Sequence, residues 1–182
     1  MPGFQIKMNP DEQALNSSDR LLRRKVARPI YTYTWDIESF LGENFNSGRF
    51  PAEIYLKETN VPDISFEEEK VKGSSLQYKF AKEPNWSDVK VTFYDTDGLL
   101  DVLHQMRSKI WNQKEGIRPA AEYKNDTKIV QYLADDMTIA FKWIMYGSWL
   151  KGISSSQLTY TSSDMHNVTA TIAYDWAEFV SG

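Results

Sequence analysis

The 182-residue chain contains no cysteine, two histidines and nine glycines. It also has no apolar run near the ~20 residues that a membrane-spanning helix needs. Each shortage removes a class of protein. Without cysteine there is no disulfide framework, no thiolate nucleophile and no sulfur-ligated metal. His104 and His166 lack the H-x-x-x-H spacing of a helical zinc site. The glycines form neither G-x-G-x-x-G nor a phosphate loop ending in G-K-S/T. Basic excess is missing too: 21 lysines and arginines against 25 acids leave a net charge of −4. That argues against tight nucleic-acid binding over the whole surface. The opening MPGFQIKMNPDEQ has no basic-then-apolar leader pattern, so a soluble intracellular product is expected.

What the chain has in quantity is aromatic residues: ten tyrosines, nine phenylalanines and six tryptophans. Amphipathic aromatics serve interfaces as well as cores. The most regular stretch is the last, residues 158–179. From Val168 onward, Val168, Ala170, Ile172, Tyr174 and Trp176 alternate with Thr169, Thr171, Ala173, Asp175 and Ala177. A period of two predicts an antiparallel strand with one face in a core. The other face, small and β-compatible, is expected to be covered by something. Ser162-Ser163-Asp164 supplies a turn before it, so the chain is expected to end in a hairpin.

In chain order, residues 1–28 read as an arm containing a short basic helix, with Arg20, Arg23, Arg24, Lys25 and Arg28 around Leu21, Leu22 and Val26. Residues 29–182 read as one β domain. Strands are expected over 30–40 and 52–58, separated by a Gly/Asn-rich turn at 42–48. Residues 64–71 and 76–80 form a hairpin about Lys72-Gly73-Ser74-Ser75. Ile64, Phe66, Val71, Leu76, Tyr78 and Phe80 supply its apolar residues. By alternation, Ile64, Phe66, Leu76, Tyr78 and Phe80 share one face, and Glu67, Glu69, Gln77 and Lys79 share the other. A strand over 88–94 follows, then the one strong helix, with Leu99, Leu103, Met106 and Ile110 at helical spacing. Residues 116–125 read as a loop, and 128–133 with 138–146 as a further hairpin. The fold class is mainly β: two packed antiparallel sheets, sandwich or barrel, with one central α-helix.

Candidate chemistry is sparse. Asp95-Thr96-Asp97-Gly98 resembles a fragment of a calcium loop, but it puts Phe93 and His104 where that loop needs acids, so it reads as a helix cap. A Ser/His/Asp set drawn from His166, Asp164 and the serines has no nucleophile elbow. No catalytic residue, metal site or cofactor is expected, and the residues point to a structural or interaction protein.

A set of ordered motifs sharpens this. Pro119-Ala120-Ala121-Glu122-Tyr123-Lys124 is followed by Ile129-Val130-Gln131-Tyr132, then Ile144-Met145-Tyr146-Gly147-Ser148-Trp149-Leu150, Gln157-Leu158 and Tyr174-Asp175-Trp176. Upstream stand Asn60-Val61-Pro62 and residues 86–92. The series resembles the tail tube proteins of long contractile-tailed bacteriophages, over about residues 29–179. Leu150 departs from the family's usual proline. The resemblance implies a ring-forming fold, sixfold rings stacked into a hollow tube in the virion tail, and assembly in the host cytoplasm. Its implied partners are further copies of itself, the sheath, a baseplate initiator and a terminator. DNA would pass transiently, and no membrane insertion is implied. Tube-initiating baseplate proteins and the ring protein of type VI secretion are the related alternatives; a small hydrolase is the alternative of a different class.

On that reading Glu67, Glu69, Gln77 and Lys79 line the lumen. Ile64, Phe66, Val71, Leu76, Tyr78 and Phe80 join a sheet between subunits. The basic segment together with Asn44, Asn46 and Arg49 forms contacts between stacked rings.

Overall fold

The computed structural model describes residues 32, 34–44, 50, 55–73, 76–133, 138–161 and 163–182. In chain order the strands are β1 (Trp35–Ser39), β2 (Tyr55–Thr59), β3 (Ile64–Lys72), β4 (Gln77–Trp86), β5 (Val89–Tyr94), β6 (Trp111–Asn112), β7 (Gly116–Ile117), β8 (Asn125–Tyr132), β9 (Ile139–Ser155), β10 (Asn167–Ala173) and β11 (Trp176–Ser181). The helices are α1 (Leu99–Ile110) and α2 (Ala120–Tyr123). The expected short basic helix lies outside the described residues.

All strand pairing is antiparallel. The main sheet runs β1-β8-β9-β10-β5-β2, with β11 also on β9. The 17-residue β9 belongs to both layers. Phe141 to Tyr146 pairs with β11, whereas Trp149 to Ser155 pairs with β10. Between them Gly147 takes φ 63°, a left-handed conformation open to glycine at little cost, which turns the strand from one layer into the other. β1 and β2 end the strand order without pairing, so the barrel is not closed.

The alternation read in the sequence fills the space between the layers. Val89, Val91, Phe93, Val168, Ala170, Ile172 and Met145 are all fully buried. Phe40 meets Phe93 edge-on at 5.7 Å. The α1 stripe, Leu99, Val102, Leu103 and Met106, joins the same cluster. Burying such side chains contributes roughly 1.5–3 kcal/mol each relative to exposure.

Four expectations are corrected. The terminal stretch is not one strand: β10 stops at Ala173, and the chain crosses through Tyr174 and Asp175 to β11. That crossing breaks the period of two, so Trp176, expected in the core, is 48% exposed, and Ala177, expected outside, is buried. Residues 158–160 form no strand. The segment 138–146 does not end at Tyr146 but continues to Ser155, because Gly147 bends the strand without stopping it. The run 95–98 provides no side-chain cap: Gly98 precedes α1 at φ 85°, and the Leu99 N–H donates to the Thr96 carbonyl at 3.1 Å. The expected loop 116–125 holds β7, α2 and the start of β8.

Candidate assembly surface

The β3–β4 hairpin is an arm. Every residue of β3 is exposed, and in β4 only Trp86 is partly buried. Trp86 anchors the arm to the body, packing on Tyr174 at 5.9 Å. β4 runs past the expected end at residue 80 through Pro84 and Asn85 to Trp86; an isolated two-stranded arm has free edges, which tolerate proline. Phe66, Leu76, Tyr78 and Phe80 remain 54–64% accessible. In an isolated chain these side chains would stand in water, against the hydrophobic driving force.

The pairing register corrects the assignment of faces. Glu69 stands opposite Phe80, and Val71 opposite Tyr78. Lys70 stands opposite Lys79, and Lys72 opposite Gln77. Directly opposed residues share a face. Glu67 and Glu69 therefore lie on the face of Val71, Leu76, Tyr78 and Phe80, and not with Gln77 and Lys79. Ile64 and Phe66, opposite Trp86 and Pro84, lie on the other face. The cause is the register set at the turn: Lys72 pairs with Gln77, so odd positions of β3 oppose even positions of β4. Nearer the body β3 advances two residues from Phe66 to Glu68 while β4 advances three, from Pro84 to Ala81, which brings Pro84 and Trp86 onto the face of Phe66 and Ile64. Ion pairs confirm the geometry, with Glu68 holding Lys70 at 3.3 Å and Lys79 at 3.0 Å on one face.

Other apolar side chains stand uncovered on the body. Phe179 contacts Phe141 and Trp143 at 5.4 and 4.9 Å between ring centres, and is itself 53% exposed. Trp111 and Ile117 face each other across β6–β7, both exposed. A groove of about 690 Å³ lies between the ends of the open sheet, lined in part by Trp35, Val61, Pro62 and Ile129. The threonine face expected to be covered lines an open depression of about 510 Å³ that includes Thr92, Thr169 and Thr171. Such patches mark interaction surfaces.

Polar side chains tie the elements together, some in the interior and some at the surface. The Leu41 N–H donates to Thr127 Oγ1 at 3.0 Å, and Thr127 and Ser148 join hydroxyls at 2.8 Å. Ser148 Oγ then donates to the Asn125 carbonyl at 2.7 Å. This chain of donors ties the turn after β1, where Leu41 has φ 51°, to β8 and β9. His166 Nδ1 lies 2.8 Å from Asp95, not Asp164, and its Nε2 meets the Ser156 carbonyl at 3.3 Å rather than a serine hydroxyl. Burial pushes the Tyr174 phenol up to about 12, and its hydroxyl donates to the Ser87 carbonyl at 2.8 Å. The hydrogen bond to the Glu178 carboxylate at 3.1 Å raises the Tyr146 pKa. Among the described residues no group of three His, Cys, Asp or Glu is placed to hold a metal, and no helix is long and apolar enough to cross a membrane.

Of the residues expected at ring-stacking contacts, Asn44 is exposed just beyond the turn. Arg20, Arg23, Arg24, Lys25, Arg28, Asn46 and Arg49 lie outside the described residues.

No protein-family model matches the chain, and no curated protein matches it in sequence. Solved structures do. The tube-terminating cap of the anti-feeding prophage superposes with TM-score 0.66 at 14% identity, covering 85% of this chain and 92% of that one. The sheath/tube terminator of the extracellular contractile injection system PVC, in its extended state, gives 0.65 at 16%, covering 86% and 99%. A chain of the PVC sheath–tube complex gives 0.60 at 13%, covering 97% and 100%. This chain has the mainly β fold of the tube-type subunits of contractile injection particles.

Proposed function

We propose that the chain is the repeating structural subunit of a contractile particle's tube, and not an enzyme. Copies close into rings, six to a ring as the motif resemblance implies. The rings stack into a hollow conduit inside a sheath, between a baseplate-side initiator and a terminator. One observation carries the reading: the exposed β3–β4 arm, with half-accessible Phe66, Tyr78 and Phe80, on a fold shared with tube-type subunits. A head-to-tail contact between unlike surfaces repeats until a ring closes, and stacking extends it.

The channel face of the arm is the one bearing Gln77 and Lys79 with Glu68, Lys70 and Lys72. The opposite tip face, with Val71, Leu76, Tyr78 and Phe80, needs cover, and Glu67 and Glu69 flank that contact. Cargo, a genome in the phage reading, passes along that face. The basic segment at 20–28, in a chain of net charge −4, finds acidic surfaces on copies in the next ring.

Purified protein imaged by negative stain tests the proposal. Rings of constant diameter with a central hole, alone or stacked, are the expected result. A chain that stays monomeric at every concentration overturns it. A second reading, a tube-terminating ring, is favoured by the higher TM-scores of the two terminators. It predicts single rings that never stack on themselves.

A further inference from the structure

We infer that the β3–β4 arm is clasped by two different copies of the chain, one at its base and one at its tip; this rests on the tube reading above. The pairing register divides the arm's apolar surface. At the base, Ile64 and Phe66 face one side with Trp86 and Pro84 opposite them. Beyond the shift, Val71, Leu76, Tyr78 and Phe80 face the other side. Because Lys72 pairs with Gln77, Tyr78 and Phe80 take the side of Glu69 and Val71, opposite to that of Phe66. As built, no single flat surface reaches both patches.

The charges divide in the same way. Behind the apolar tip lie Lys70, Lys72 and Lys79 against the single Glu68, a face suited to water. Beside the tip patch on its own face stand Glu67 and Glu69, which discourage that face from covering the base as well. The tip patch exposes 47% of Val71, 64% of Leu76, 54% of Tyr78 and 56% of Phe80. With side chains of this size that is roughly 400 Å², at the scale that marks an interaction site. It is about half of the ~800 Å² per partner in a stable interface, so the arm supplements a contact made elsewhere on the body. Strands of nine and ten residues reach about 30 Å at ~3.3 Å per residue. The base patch adjoins its own body and meets the neighbour within the ring. The tip, carried that far out, meets a copy in the next ring. The occupant is the same chain because the body offers matching uncovered apolar surface, as at Phe141, Trp143 and Phe179.

Two variants test this in the full chain: Phe66→Ser at the base and Phe80→Ser at the tip. Thermal unfolding checks that each body is folded, and both changes lie outside the core. Light scattering and negative-stain imaging then read assembly. Phe66→Ser is expected to lose rings and leave monomers. Phe80→Ser is expected to keep rings and lose tubes. Parent tubes with base and tip variants in the same state overturn the two-neighbour arm and leave the tube reading standing. A monomeric parent overturns both.

Discussion

Replacing Gly147 by alanine probes the bend on which both sheets depend. At φ 63° an L-residue costs roughly 1–2 kcal/mol more than glycine. An added Cβ would also sit 2.9 Å from Asp175 Cγ and closer still to its Oδ2. Asp175 must therefore move, giving up its 2.6 Å ion pair with Lys124. Because the Asp175 side chain is 56% exposed, that pair contributes about 0–1 kcal/mol. The sum is about 2 kcal/mol, or about 4–8 °C in Tm for a domain of this size. In an Asp175→Ala background the same change should cost only the backbone part, about 1–2 kcal/mol, so a double-mutant cycle separates strain from collision. Urea and thermal unfolding of dispersed protein would measure both. A Gly147→Ala protein melting within about 1 °C of the parent would refute the argument. Equal losses in the two backgrounds would refute the collision alone.

Other consequences are testable in the same assays. Thr127→Val strands the buried Leu41 N–H and breaks the hydroxyl chain to Ser148, so it should cost about 2–3 kcal/mol; a neutral result in urea unfolding would mean the chain of donors is dispensable. Leu103→Ala, at a fully buried position of α1, should lose about 2–5 kcal/mol, and a loss below 1 kcal/mol, on the order of a surface change, would place the helix outside the core. Tyr174 is held at about 12, above its ordinary 10.0, so its protonated form is favoured in the fold. Its contribution is complete below pH 10 and lost as pH rises through about 12, and Tyr174→Phe should flatten the fall in stability over that window. Parallel curves for parent and variant would count against it. Deleting residues 1–28 should leave rings while shortening tubes, most at low salt where ion pairs are least screened, whereas equal tube lengths with and without the segment at low salt would dismiss it as a stacking contact.

Much of the body could be read in the residues themselves. Val168, Ala170 and Ile172 alternate and are buried as alternation requires, because side-chain direction within a strand is local geometry. Leu99, Leu103 and Met106 recur at helical spacing and line one face of α1 for the same reason. The existence of the β3–β4 hairpin followed from its turn, and the absence of cysteine and of metal-ligand spacing excluded whole chemistries. Three features were set only in three dimensions. The register in which the turn joins β3 to β4 carries no sequence mark, yet by pairing Glu69 with Phe80 and Lys70 with Lys79 it moves Glu67 and Glu69 away from Gln77 and Lys79. Gly147 reads as a strand breaker, and only the two partners waiting on either side, β11 and β10, make it a bend within one strand. The terminal alternation fails at Tyr174 and Asp175 because the chain leaves one sheet for the other there, and which sheet a strand joins depends on partners distant in sequence. Periodicity records what a residue's own backbone does, whereas register, bends and sheet membership are settled by the strand across from it.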